Sequence, residues 1–300
     1  MKLILIIIGK KIIIPGFEGI SLYYTAVFFV GGLKKGSLVI RANSVAFSFL
    51  LALFPTIIFF FSLIPFIPIN NLHENIMLSI SNALPDKVYL YIAQTIDEII
   101  GQQRGDLLSL GFFLAIYFSS NGVMGLMKAF NMTSHIVETR SKRELILVSL
   151  FLVLIIALIL IVSTAMLIYS SWLIKYLHAE GHVNARITFI LIEAAKWIIL
   201  MLMIFIMIST IYYLAPAGKR PFKFISAGST LATLMSVIFM MAFNYYINKF
   251  GQYNKLYGSL GTLIIMMLWI NFNAIVLLIG YELNASIHEA NVVKEEHKTS

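Results

Sequence analysis

Apolar residues dominate six long stretches of the chain, approximately 43–68, 107–128, 145–170, 188–214, 223–247 and 259–283. A helix needs roughly 20 consecutive apolar residues to cross a hydrocarbon core about 30 Å thick. Each stretch meets that length and is predicted to span a membrane. The second is interrupted by Ser119, Ser120, Asn121 and Gly122. The first contains Pro55, where a kink is expected because the ring removes a backbone donor and crowds the preceding turn.

The flanks follow different patterns. Residues 1–36 are apolar but broken by Lys10, Lys11, Pro15, Gly16, Glu18 and the Gly31-Gly32-Leu33-Lys34-Lys35 run. This pattern predicts an interfacial amphipathic helix on the cytoplasmic face, with a re-entrant segment or seventh span as the alternative. The long polar connection 70–106 carries a helix start at Leu84-Pro85-Asp86, followed by Val88, Ile92, Ile96, Ile99 and Ile100 at helical spacing. It reads as an external amphipathic helix. Residues 288–300 are polar and expected to form a disordered tail. The expected fold is an all-α six-helix transmembrane bundle over 37–287, with 1–36 and 288–300 on the cytoplasmic side.

Composition supports this reading. The 300 residues are 60% hydrophobic and 12% charged, about half the charge that a water-facing domain carries. With six spans, one side receives Lys2, Lys10, Lys11, Lys34, Lys35, Arg41, Lys128, Arg140, Lys142, Arg143, Lys219, Arg220, Lys223, Lys294 and Lys298. The other receives only Lys87, Arg104, Lys175, Arg186, Lys249 and Lys255. The richer side is expected to be cytoplasmic, which places both termini inside. The net charge of +8 thus acts as an orientation signal, and no nucleic-acid partner is expected. Cysteine is absent, which excludes disulfides, thiolate metal sites and cysteine nucleophiles.

Few residues suggest chemistry. Asn271 and Asn273 lie near the middle of the last stretch beside Trp269, and Asn244 lies near the outer end of the fifth. Amides in hydrocarbon must find partners, so these are candidates for either a polar path or interhelical packing. Glu193 and Lys196, three residues apart, share a helix face as an intramembrane ion pair or as a shallow pair reaching the interface. Ser44, Ser48, Ala52 and Thr56, and likewise Gly228, Ala232 and Ser236, recur at fourfold spacing; close packing outweighs a moving seam as their explanation. Glu282 closes the last stretch, with Arg140, Arg143 or Lys219 as prospective partners. His178 and His182 flank Glu180 in the order H-A-E-G-H, which is not a metalloprotease motif. No P-loop, nucleophile elbow or dinucleotide fingerprint is present. The cytoplasmic segments offer only Glu138 and Glu144 as converging carboxylates. No catalytic residue, metal or cofactor is expected.

Residues 257–285 read YGSLGTLIIMMLWINFNAIVLLIGYELNA. This segment resembles the C-terminal signature of the YihY/BrkB family on Tyr257, Gly258, Ser259, Leu260, Gly261, Trp269, Gly280, Glu282, Leu283 and Asn284. Ala46 to Pro55 is similar to the family's first span, with Phe47 and Ser48 in place of a Tyr pair and Ala52 in place of Ser. Gly122, Ala129-Phe130-Asn131 and Arg140 match in order, as do Tyr212, Tyr213, Pro216 and Gly228. The resemblance covers roughly 40–287. It implies a six-helix bacterial cytoplasmic-membrane protein from a family once labelled ribonuclease BN and associated with serum resistance and virulence.

Two functional expectations follow. The first is a transporter or lipid/solute translocator without its own ATPase, whose partners would be the bilayer and a small-molecule or lipid substrate. The alternative is a membrane scaffold for envelope enzymes. A homo-oligomer or an envelope protein partner is compatible with either.

Overall fold

The computed structural model describes residues 16–17, 19–35, 37–66, 103–133, 137–179, 185–218, 225–250 and 259–299, with isolated positions between 74 and 98. Among these residues the long elements are all helices: α1 (Leu22–Lys35), α2 (Leu38–Leu63, extended by a 3-10 turn at Ile64–Phe66), α3 (Gly105–Thr133), α4 (Lys142–Ala179), α5 (Ala185–Leu214), α6 (Ala227–Phe250) and α7 (Ser259–Thr299). Six segments are long and apolar enough to cross a membrane: Leu38–Phe66, Gly105–Thr133, Lys142–Met166, Ile192–Leu214, Ala227–Ile247 and Leu263–Lys294. The protein is therefore an all-α, multi-pass membrane protein whose helices face a lipid bilayer. Residues 1–15, most of the expected external helix 70–106, and the Glu180–His182 stretch lie outside the described residues.

The chain divides into two compact units, one of residues 1–46 with 123–300 and the other of residues 47–122. In the smaller unit, α2 continues as a helix through Pro55, and the Thr56 hydroxyl donates to the Ala52 carbonyl (2.7 Å). A Cβ on Gly111 of α3 would stand 3.0 Å from the Phe59 backbone nitrogen. The absence of a side chain at Gly111 is what permits that approach. Phe59 and Phe112 pack with centroids 5.5 Å apart, and Gln103 Nε2 donates to the Pro65 carbonyl (3.0 Å).

In the larger unit α7 packs against α6 and α1, and α5 packs against α4 and α6. The α6–α7 seam is tight. A Cβ on Gly280 would lie 2.6 Å from the Gly228 carbonyl oxygen and 2.7 Å from the Ala232 Cβ, and one on Gly228 would collide with the Gly280 carbonyl. Farther along, Phe239 and Phe243 stack on Trp269 with centroids 5.3 and 5.0 Å apart. Small residues bring the backbones together at one level, and aromatic rings fill the gap at another.

Helix α7 departs from expectation. Its 41 residues extend about 60 Å at 1.5 Å per residue, twice the hydrocarbon thickness. The segment 288–300, expected as a disordered tail, is helical through Thr299. The physical reason is continued burial of one face: Ser286, Ile287 and Ala290 are buried. Lys294 Nζ also donates to the Gly19 carbonyl (3.0 Å). Gly16 and Gly19 adopt positive φ (92° and 76°), a conformation open to glycine. The chain there folds Phe17 onto Leu283 and Ile287.

Adding one methyl at Gly280 should destabilise the protein by about 1–3 kcal/mol through overpacking. Gly31→Ala should be neutral or stabilising by up to about 1 kcal/mol, because a Cβ there meets nothing within 4 Å. Thermal unfolding of the two variants in detergent checks the pair, and equal effects would contradict the packing described.

Candidate functional site

The polar groups buried in the larger unit are concentrated where the start of α2, the ends of α3 and α5, the start of α6 and the second half of α7 carry them. Arg41, one turn into α2, is only 5% exposed. It stands beside Glu282 of α7, also 5% exposed, with Nη2 3.8 Å from Oε2. Arg41 Nη1 donates to the Ala129 carbonyl (3.0 Å) and to the Thr133 hydroxyl near the end of α3. Two expectations are corrected here. Arg41, counted as a loop charge that orients the chain, lies inside the helices; the asymmetry among the remaining Lys and Arg is unchanged in direction. Glu282 does not end its helix but lies mid-helix, with Arg41 beside it; Lys219 lies outside the described residues. Because α7 continues past Glu282, its carboxylate is far from the helix end and needs a cation brought from another helix. Gly32 of α1 completes the arrangement: a Cβ there would overlap the Glu282 carboxylate.

On the same helices, Phe130 stacks on Tyr281 (4.3 Å between centroids), and Tyr212 of α5 meets both rings edge-on at 5.6 and 5.7 Å. The Tyr212 hydroxyl donates to the Leu277 carbonyl (2.7 Å), and a Cβ on Gly280 would strike it. These rings form a buried aromatic cluster among α3, α5 and α7.

Two asparagines close the helix ends. Ser226 caps α6, accepting from the Ser229 amide (3.1 Å), while Asn284 of α7 accepts from the Gly228 amide (2.7 Å) and donates to the Ser226 hydroxyl (2.9 Å). Helix starts leave unsatisfied amides, and both side chains answer that need. Asn131, also buried, accepts from the Ala217 amide (2.8 Å) in the Ala215–Gly218 turn that holds Pro216. It donates to Glu138 Oε2 (2.7 Å). Arg140 grips the same carboxylate through Nε (2.8 Å) and Nη2 (2.9 Å). Its Nη2 also reaches the Ala215 carbonyl at the end of α5 (2.9 Å). Hydrogen bonds from Arg140 hold the Glu138 carboxyl below the usual carboxylate range, against a smaller opposing effect of burial. Glu144 forms a reciprocal cap with Ser141 at the start of α4 (2.7 and 3.3 Å). The two carboxylates considered for nuclease chemistry are thus engaged in separate structural contacts. No group of three metal-ligating side chains occurs among the described residues.

The candidates for a polar path fall in different places. Asn271 Nδ2 donates to Asn43 Oδ1 of α2 (2.6 Å), while Asn273 Nδ2 returns to the Trp269 carbonyl of its own helix (2.7 Å). Glu193 contacts Lys196 and accepts from Trp197 Nε1 (3.0 Å), in the first turns of the candidate span Ile192–Leu214. Asn244 is exposed on α6. Tyr257 and Gly258 lie outside the described residues, whereas Ser259 begins α7 and Gly261 is buried in its first turn. Arg41, Asn43, Glu138 and Gly32 were not recognised as site residues from sequence. The usable signal for Arg41 was its isolation, as the one charged residue between Lys35 and Glu74.

These features define a polytopic helical membrane protein with a buried charged and amide-rich cluster. The profile of the family described as Virulence factor BrkB matches residues 29–300, and the chain belongs to that family. The putative ribonuclease-like protein YfkH of Bacillus subtilis is 26% identical over 258 residues, covering 86% of this chain and 92% of the relative. A UPF0761 membrane protein of Haemophilus influenzae (NTHI0384) is 24% identical over 253 residues, covering 83% and 89%. A third, from Idiomarina loihiensis, is 27% identical over 121 residues, covering 40% and 41%. No solved structure matches the chain.

Two outcomes are expected at the helix ends. Asn284→Leu should cost about 1–3 kcal/mol by leaving the Gly228 amide without its acceptor, read as a drop in thermal stability. Because the folded Glu138 carboxyl titrates below its unfolded value, its contribution is present above the unfolded pKa and is lost as pH falls through the folded one. Glu138→Gln should therefore flatten the acid limb of a stability–pH profile. An unchanged acid limb would remove Glu138 from the account.

Proposed function

We propose that this protein moves a polar or headgroup-bearing molecule across the bacterial cytoplasmic membrane without an ATPase of its own, with both termini in the cytoplasm. The observation that carries the reading is the Arg41–Glu282 pair, two charges buried within helices that span hydrocarbon. Charges in such positions are costly, and in membrane proteins they mark substrate or ion pathways by default. The Asn43–Asn271 amide pair supplies further polar groups on the same two helices. The Lys and Arg asymmetry of the loops supports the orientation. The domain organisation we adopt is a transmembrane region over 37–287, a cytoplasmic N-terminal segment and a helical cytoplasmic extension. We assign no enzymatic role, no cofactor and no nucleic-acid partner: Glu138 and Glu144 serve the helix ends, and the chain carries no nucleotide-binding motif.

Reconstitution into liposomes tests the proposal. The intact protein should accelerate entry of anionic solutes or inward movement of fluorescent lipids relative to empty vesicles. Asn271→Leu with Asn273→Leu should reduce that flux at least about tenfold, a barrier increase of about 1.4 kcal/mol, while the protein stays folded. A scaffold would show no flux in any form and would keep its cellular role in the double variant.

A further inference from the structure

The guanidinium of Arg41 is used on one edge only. Nη1 is engaged by the Ala129 carbonyl and Thr133, whereas Nε and Nη2, both buried, find no hydrogen-bond acceptor among the described residues. Nε–H and Nη2–H point the same way and form the side-on fork that clasps an oxyanion through two parallel bonds. Glu282 stands 3.8 Å from Nη2, close enough for attraction but beyond hydrogen-bonding distance. A buried arginine with its fork so disposed costs stability unless something answers it.

Helix α1 lies against the Glu282 side of the pair. Gly32 touches Glu282 and Gly19 meets Lys294, so α1 runs antiparallel to α7. Ser21 just before α1, Thr25 in its first turn and Gly32 near its end recur at spacings of four and seven. Ser21 and Thr25 are buried (8% and 1% exposed), and their hydroxyls have no hydrogen-bond partner among the described residues. Thr25 and Ser21 lie two to three helical turns from Gly32, roughly 10 Å or more away, so the fork itself must hold the ligand, and its two parallel donors suit two oxygens of a phosphate group.

We propose that the Arg41 fork is a binding site for a phosphate group, and that Glu282 competes with it for the guanidinium. Phosphate entering beside an ionised Glu282 meets like charge, so binding requires the carboxylate to swing away or to be neutralised. The inference deepens the translocator reading, and rests on it for its purpose, by naming phosphate as the recognised chemistry. That phosphate can belong to a lipid headgroup or to a free ion.

The test uses the full-length protein in phosphatidylcholine nanodiscs. One arm measures binding of radiolabelled inorganic phosphate; the other measures thermal stabilisation by phosphatidic acid incorporated in the disc. In whichever arm binds, Glu282→Gln should tighten binding about tenfold by removing the competing charge. Arg41→Lys, which keeps the charge but loses the fork, should weaken it at least about tenfold. The responding arm names the source of the phosphate. Absence of binding in both arms, equal binding by Arg41→Lys, or unchanged or weaker binding by Glu282→Gln overturns the site. If Arg41→Lys does not fold, the Glu282→Gln comparison decides alone. Binding without liposome flux would keep the site and remove the translocator reading; flux without this binding pattern would do the reverse.

Discussion

A charge placed in hydrocarbon must find a partner on another helix, and the pairing of Arg41 with Glu282 is where this protein meets that constraint. Both side chains are about 95% buried, so the packed helices withhold water from both. Breaking such a pair leaves one uncompensated charge, at a cost of about 3–5 kcal/mol. Much of the neighbouring architecture follows from this requirement. Gly32 leaves room for the carboxylate, the last turn of α3 supplies acceptors to the guanidinium, and α7 stays helical beyond Glu282 so that the carboxylate is held mid-helix.

A second set of contacts surrounds the pair and is of a different kind. Asn284 binds the start of α6, Asn131 binds the turn after α5, and Arg140 joins that turn to Glu138. Each satisfies a backbone group that a helix end would otherwise leave unpaired. These side chains come from segments far apart in sequence, so the helix junctions are tied to one another rather than capped locally. A rigid frame of this sort suits a site whose central charges must keep their positions. The pair itself, by contrast, has slack: at 3.8 Å it can tighten or give way.

The spans were legible because hydrophobic length is a strong and local signal, and all candidate spans but the last begin and end close to the expected limits. The motif residues Asn131, Gly228, Gly280, Glu282 and Asn284 were also legible as a set, although sequence order could not show that they converge. Arg41 was misread for an identifiable reason. A basic residue near the end of an apolar stretch looks the same in sequence whether it orients the chain or enters the core. Only the position of Glu282, fixed by the unexpected length of α7, separates the two. Asn273 illustrates the opposite limit: an amide that returns to its own helix backbone carries the same sequence signal as Asn271, which crosses to Asn43.

The most direct measurement of the central claim is a double-mutant cycle on Arg41→Met and Glu282→Gln, read as unfolding free energy in a defined detergent. The account predicts that each single change is strongly destabilising and that the double variant is more stable than the sum implies, with a coupling of about 1–3 kcal/mol. Additivity within about 0.5 kcal/mol would contradict it, for the two residues would then be buried neighbours without being partners.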